Sequence, residues 1–312
     1  MYANRRSDYF AIPENDSQGR HLMRGMRRAG LTMASHFPRT GEGNGEHPHR
    51  RVVDELGTVA SSLAGAYEPL PHPSLDETIA SAGIGMKLDI LEKALASIEL
   101  AKLLPPSLRS AVARRQVEWI GGRLCAEHAL ERLGMFHCGV PRGPQGAPLW
   151  PPGIAGSITH TDNAAYALVA RRPDGAGLGI DSEPLVDESA QSAVASLCCC
   201  PGERAAWLDG TDCRLRTTLL FAAKEAFYKA AWPAVGRFID FDEVIVQQWN
   251  HADGMMVLRL GPSLTEASAS ACYRVDEIGG IVHVRVSLDV ALVARLASSS
   301  RERDSRSPCI DR

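Results

Sequence analysis

The chain has 312 residues, 45% of them hydrophobic and 23% charged, enough to bury a sizeable core as one large domain or two small ones. Its formal net charge of −3 excludes a strongly basic protein that coats nucleic acid. It has no apolar run of about eighteen residues that would make a transmembrane helix, and no collagen pattern, heptad seam or short-period repeat.

Residues 1–70 differ from the rest. They hold Arg5, Arg6, Arg20, Arg24, Arg27 and Arg28, a Gly/His-rich stretch over 41–49, and the start of a Pro-rich stretch from Pro69 to Pro73. No sustained apolar period precedes Val52, so 1–70 is expected to be a mostly disordered extension. Residues 20–34 could form a basic amphipathic helix, but the apolar segment of a secretory signal is missing. Residues 71–297 are expected to form the folded domain, in two halves over 71–184 and 185–297. The Ser/Arg-rich residues 298–312 are expected to be a disordered tail. Eight cysteines without a C-x-x-C pair read as reduced thiols in a cytoplasmic protein.

Within the domain, Ile84, Met86 and Leu88 alternate as in a short strand. Residues 89–104 read as a helix ending at Pro105–Pro106. Residues 108–133 read as a long helix stopped by Gly134, and a Pro/Gly-rich loop covers 140–153. Strands are expected at 155–159, 164–170 and 178–183. A helical region follows over 186–232, with breaks near Pro201 and Gly210. Further strands are expected at 243–249, 255–260, 271–276 and 281–288. The order β, helices, β, helices, β is an α+β layout in two similar halves, each a small antiparallel sheet packed with helices.

Four segments carry polar chemistry. In Gly177-Leu-Gly-Ile-Asp-Ser-Glu183, strand alternation puts Asp181 and Glu183 on one side. Two such carboxylates are either a solvated strand end or a site for a hard divalent cation such as Mg²⁺. In the helical segment Phe221-Ala-Ala-Lys-Glu-Ala-Phe-Tyr-Lys229, Glu225 and Lys229 are one turn apart. They are either a surface ion pair or a third carboxylate with a cation beside it. In Gly156-Ser-Ile-Thr-His160, Thr159 and His160 are either structural or donors to a phosphate. In the segment Arg114–Arg123, Arg115 and Arg123 lie about two turns apart, which suggests a shared face. They are either solvated or forks for phosphate oxygens.

Together the segments R-R-Q-x-E-W-I-x-G-R-L-C-A, G-A-P-L-W-P-x-G-x-x-G-S-I-T-H, G-x-G-I-D-S-E and F-A-A-K-E-A-F-Y-K resemble, in order and spacing, the 4′-phosphopantetheinyl transferases. The branch they resemble is the single-chain surfactin-type one that includes enterobactin synthase component D. The resemblance covers roughly residues 80 to 290. It implies two pseudo-symmetric α+β halves. It also implies Mg²⁺-dependent transfer of the 4′-phosphopantetheine arm of coenzyme A to a serine of an apo acyl or peptidyl carrier protein, with adenosine 3′,5′-bisphosphate as coproduct. By position it assigns Asp181, Glu183 and Glu225 to Mg²⁺. It assigns Arg115, Arg123, the loop Gln145, Gly146, Ala147 and Pro148, and Thr159 and His160 to coenzyme A. Lys229 goes to the pyrophosphate, and Glu225 becomes a candidate base. Asp181, Glu225 and Lys229 thus border coenzyme A as well. The expected partners are coenzyme A and carrier domains, with no nucleic acid and no integral membrane contact, for a monomeric enzyme. Siderophore, peptide, polyketide and fatty-acid synthesis all remain open as the pathway served. The chain departs from the family where Gln145 or Gly146 replaces a common basic residue, which moves a phosphate contact to Arg142 or loses it. Ala226 stands where Ser is common, a change expected to be benign.

Overall fold

The computed structural model describes residues 51–56, 59–70, 79–96, 98–143, 146–276 and 279–306, with the backbone alone at 101 and 302–306. The first half holds helices α1 (Val52–Leu56) and α2 (Val59–Ser62), strands β1 (Tyr67–Pro69) and β2 (Ser81–Lys87), helices α3 (Leu88–Leu95) and α4 (Ala113–Arg132), and strands β3 (Ile154–His160) and β4 (Ala164–Arg171). The second holds β5 (Gly177–Pro184), α5 (Glu188–Cys198), α6 (Pro201–Trp207), α7 (Cys213–Val235), β6 (Val244–Asn250), β7 (Met255–Leu260), β8 (Ser268–Asp276), β9 (Ile281–Leu288) and α8 (Val290–Arg306). The strands form two antiparallel sheets, a four-stranded one in the order β1-β2-β4-β3 and a five-stranded one in the order β5-β9-β8-β7-β6. This is the expected α+β fold of two similar halves.

One long helix centres each half. In α4 every residue from Val117 to Glu127 is buried, and in α7 every residue from Thr217 to Phe227. Such all-round burial marks a helix enclosed by its neighbours rather than one with a solvated face. In α4, Gly121 and Gly122 permit close packing on the first sheet. A Cβ at Gly121 would come within 2.7 Å of Leu88 Cδ2, and one at Gly122 within 2.7 Å of Ile158 Cγ2. The core of the second half is built around Phe221 and Phe227, both fully buried. A third apolar cluster, including Tyr166, Leu168, Leu178 and Ile180, joins the two sheets. There Ser157 Oγ accepts a hydrogen bond from the Ile180 N–H at 3.0 Å, which satisfies an edge-strand donor that no ladder reaches.

The boundaries differ from the sequence expectation in three places. Residues 51–70, expected as part of a disordered extension, are folded wherever the structure describes them. Val52, Leu56 and Leu63 are buried in the first core. Glu127 of α4 anchors them, accepting hydrogen bonds from the Val52 N–H at 2.8 Å and the Val53 N–H at 3.0 Å, and Arg51 pairs with Glu131. Residues 1–50 lie outside the described residues. The division between halves falls between Arg171 and Gly177, not after 184, because β5 pairs with β9. At the other end α8 continues helical through Arg306, past the expected start of the tail at 298. Leu296 is buried in the second core, and Ser300 Oγ donates to the Val235 carbonyl at 3.1 Å, satisfying a C-terminal carbonyl of α7. Expected residues 307–312 of that tail lie outside the described residues. Among the described residues no helix is long and apolar enough to cross a membrane.

The Glu127 anchor has a pH signature. Burial pushes its carboxyl from 4.5 up to about 7, against the opposing pull of the Val53 and Val52 N–H groups and of Arg51 and Arg123. Between those two values the folded state holds a proton that the unfolded state has lost. Glu127 therefore supports folding most below the unfolded value, and this support declines as pH rises through 7. Glu127→Gln removes the titration. The stability of the wild type relative to this variant should fall by up to about 3 kcal/mol between about pH 5 and pH 8. Urea melts of both proteins at the two pH values check this, and a pH-independent difference would contradict it.

Candidate active site

The site forms where β5 runs beneath α7. Gly177, Gly179, Asp181 and Glu183 alternate toward the helix, while Leu178 and Ile180 face the first sheet. The glycines set the distance between the two elements. A Cβ at Gly179 would lie 1.9 Å from the Ala226 carbonyl oxygen, and one at Gly177 would lie 2.5 Å from the Ala230 oxygen. The helix backbone thus rests directly on the strand, with Lys229 beside Asp181. Lys229 Nζ donates to Asp181 Oδ1 at 2.7 Å, to Thr159 Oγ1 at 2.9 Å and to the Ile180 carbonyl at 3.0 Å. Thr159 Oγ1 in turn donates to Asp181 Oδ1 at 3.0 Å. Residues from β3, β5 and α7 therefore meet across the junction of the halves.

Asp181, Glu183 and Glu225 are each only 2% exposed. Burial and the Asp181 charge push Glu225 up to about 8, with Lys229 opposing. The same causes, burial first, hold Glu183 well above its usual range, and the Glu225 charge adds to them. Asp181 Oδ2 and Glu225 Oε2 are buried with no hydrogen-bond partner among the described residues. Buried carboxylate oxygens left without a partner are the donor chemistry that suits a hard cation. The residues therefore fit Mg²⁺ in type and in unmet demand. Among the described residues no three such side chains converge into a ready ion cage. The ammonium of Lys229 supplies positive charge to Asp181 instead.

The first half contributes a second cluster at the start of α4 and the end of β3. Glu118 Oε1 accepts from Arg114 Nε at 3.1 Å, and Glu118 Oε2 accepts from Arg115 Nη1 at 3.3 Å. Arg115 Nη1 lies 3.0 Å from His160 Nε2, and Arg114 also pairs with Asp162. Burial lowers His160 to about 4, with Arg115, Lys229 and Arg114 adding to the effect and Glu118 opposing it, so the ring is neutral at physiological pH.

The structure brings Arg115, Thr159, His160, Asp181 and Lys229 to this junction, with Glu183 and Glu225 in the field of Asp181. It does not place Arg123 with Arg115. Eight residues span about 2.2 turns at 3.6 per turn, so the two side chains diverge by about 80° and the expected shared face is corrected. Arg123 is 3% exposed and its guanidinium lies 5.1 Å from the Trp119 ring centroid, while the Arg115 side chain is 25% exposed. Gln145 lies outside the described residues. Gly146, Ala147 and Pro148 belong to a hairpin in which Pro148 bridges to Arg142, and Gly146 takes φ of +89°. Lys224, next to Glu225 in sequence, serves the fold. Its buried Nζ donates to Glu203, the Cys198 carbonyl and the Phe241 carbonyl at 2.7, 2.8 and 2.9 Å. Glu118 is not among the sequence candidates, although its position three and four residues after Arg115 and Arg114 is a usable signal.

Two family profiles match in series, the 4′-phosphopantetheinyl transferase N-terminal domain over residues 103–170 and the 4′-phosphopantetheinyl transferase superfamily over residues 177–279. Their junction coincides with the division between the two sheets. The chain is 38% identical over 161 residues to 4′-phosphopantetheinyl transferase Npt of Nocardia iowensis, covering 47% of this chain and 71% of that protein. It is 42% identical over 137 residues to 4′-phosphopantetheinyl transferase Svp of Streptomyces mobaraensis, covering 43% of this chain and 54% of that protein. It is 35% identical over 125 residues to enterobactin synthase component D of Salmonella typhi, covering 39% of this chain and 51% of that protein. The chain belongs to the 4′-phosphopantetheinyl transferase superfamily, an enzyme family, on the branch that includes enterobactin synthase component D. The match spans only about half the length of the last two relatives.

Proposed function

We propose that this protein transfers the 4′-phosphopantetheine arm of coenzyme A to a serine of an apo acyl or peptidyl carrier protein, with Mg²⁺ as cofactor, and releases adenosine 3′,5′-bisphosphate. The observation that carries this reading is the meeting of Asp181, Lys229 and Thr159 across the two halves, within the family's two matched segments. Asp181, Glu183 and Glu225 would hold the metal. Bound Mg²⁺ would supply positive charge that offsets both the buried carboxylates and the pyrophosphate of coenzyme A.

The remaining work falls to the chain's own residues. A pyrophosphate repels an incoming oxygen nucleophile, so the main requirement is fixed positive charge and hydrogen-bond donors in a partly dry site. Arg115 and Lys229 supply the charge, and Thr159 and His160 sit beside them to orient phosphate oxygens. The carrier serine loses its proton as it attacks, and Glu225 is the candidate base. Seven free cysteines among the described residues suit a reducing, cytoplasmic setting.

A Mg²⁺-dependent phosphohydrolase would use similar carboxylates. The two are separated by following adenosine 3′,5′-bisphosphate release from coenzyme A with and without a panel of apo carriers. Release that requires a carrier is expected, and carrier-independent release would overturn the transferase reading. The role of Glu225 is checked by Glu225→Gln, which keeps the size and one oxygen donor. Calorimetric coenzyme A binding should persist while single-turnover transfer falls at least about a hundredfold. Equal losses in both would make Glu225 a metal anchor only.

A further inference from the structure

Glu118 is an acidic residue inside a cluster that the proposed function needs for binding an anion, and its placement calls for a physical reason. It is nearly buried and holds two arginines at once, Arg114 through Oε1 and Arg115 through Oε2. A lone arginine side chain loses much rotamer freedom when it is fixed, and two adjacent ones repel. A carboxylate between them removes both obstacles before a ligand arrives. The more informative contact is the next one. Arg115 Nη1 lies 3.0 Å from His160 Nε2. A guanidinium nitrogen can only donate. His160 Nε2 must therefore accept, and in a neutral ring the proton then sits on Nδ1. That Nδ1 is buried and has no partner among the described residues. The imidazole is held with a donor that nothing in the described protein uses, and a buried donor left unmet is costly.

We propose that Glu118 is a positioning residue: by clamping Arg115 it fixes His160 as the Nδ1–H tautomer, so that His160 meets the bound nucleotide as an uncharged hydrogen-bond donor rather than as a cation. Charge recognition then rests with Arg115 and Lys229, and His160 contributes direction. The geometry also accounts for the 3.7 Å separation of Glu118 Oε2 from His160 Nε2. That distance is too long for a hydrogen bond, so Glu118 reaches His160 only through Arg115. The role at the ligand rests on the coenzyme A reading given above, whereas the tautomer belongs to the protein alone.

The test has one arm for each. In the ligand-free full-length protein at neutral pH, the imidazole ¹⁵N shifts of His160, assigned by its loss in His160→Gln, should show a protonated Nδ1 and an unprotonated Nε2. A proton on Nε2 overturns the proposal whatever the enzyme's substrate. Glu118→Gln keeps the side chain's size but can accept at only one atom, so Arg115 loosens. In that variant the Nε2–H form should gain population, and the coenzyme A KM should rise about tenfold with kcat changed less than about threefold. An unchanged tautomer or an unchanged KM overturns the positioning role, as does an equal loss in kcat. If Glu118→Gln fails to fold, Glu118→Asp, which keeps the charge but shortens the reach to Arg115, takes its place with the same expected shifts in tautomer and KM. If the wild type does not bind coenzyme A in calorimetry, the functional reading fails and the tautomer result stands by itself.

Discussion

Asp181→Ala is expected to lower phosphopantetheine transfer at least about a hundredfold at ordinary Mg²⁺ while leaving the fold intact. The reason lies in what Asp181 touches. Its Oδ1 accepts from Lys229 and Thr159, its Oδ2 has no partner among the described residues, and its charge raises the proton affinity of both Glu183 and Glu225. Removing it takes away the carboxylate paired with Lys229, which keeps its hydrogen bonds to Thr159 and the Ile180 carbonyl and lies in the field of Glu183 and Glu225. Glu183 and Glu225 ionise more readily beside Lys229 once the Asp181 charge is gone, so the folded state should persist with a thermal midpoint lowered only modestly. Glu183→Gln should be milder and partly rescued by high Mg²⁺, because a neutral oxygen can still coordinate. Transfer rates beside thermal melts check both. Near-normal turnover in Asp181→Ala would remove this residue from the site.

Gly179→Ala should cost both fold and activity, through backbone contact alone. The added methyl would sit 1.9 Å from the Ala226 oxygen and 2.7 Å from the Ala230 nitrogen, both in the backbone of α7. No rotamer change relieves such a contact, so the helix must lift from β5. Overpacking of this kind costs roughly 1–3 kcal/mol, and more where backbone must move. The same displacement separates Lys229 from Asp181. Gly202→Ala is the control, since its Cβ would meet only Cys200 Sγ at 3.9 Å. A large drop in thermal midpoint and in transfer is expected for Gly179→Ala, with little change for Gly202→Ala. Equal behaviour of the two variants would show that the strand–helix approach is not what assembles the site.

These two residues also show how far the sequence could be read. Strand alternation was enough to put Asp181 and Glu183 on one side, because a period of two leaves no freedom once the strand is placed. Helix spacing put Glu225 and Lys229 one turn apart, and the order of elements gave two similar halves. Spacing misled at Arg115 and Arg123, where an eight-residue interval drifts off the face that seven would keep. The folding of residues 51–70 is not legible locally because its anchor, Glu127, lies some 75 residues further on, and local composition carries no trace of so distant a partner. For the same reason β5 was grouped with its sequence neighbours, although it pairs with β9, about a hundred residues later. The contact of Glu118 with Arg114 and Arg115 was local and could have been found. Its neighbour His160 arrives from another element, and only the fold brings it there.

The most direct test of the transferase reading is the intact mass of an apo carrier protein after incubation with this protein, coenzyme A and Mg²⁺. The carrier should gain the mass of one phosphopantetheine group. The gain should disappear when the carrier's acceptor serine is replaced by alanine and when Asp181→Ala replaces the wild-type enzyme. A carrier that stays unmodified here, while an established phosphopantetheinyl transferase loads the same preparation, across acyl and peptidyl carriers alike, would contradict the assignment.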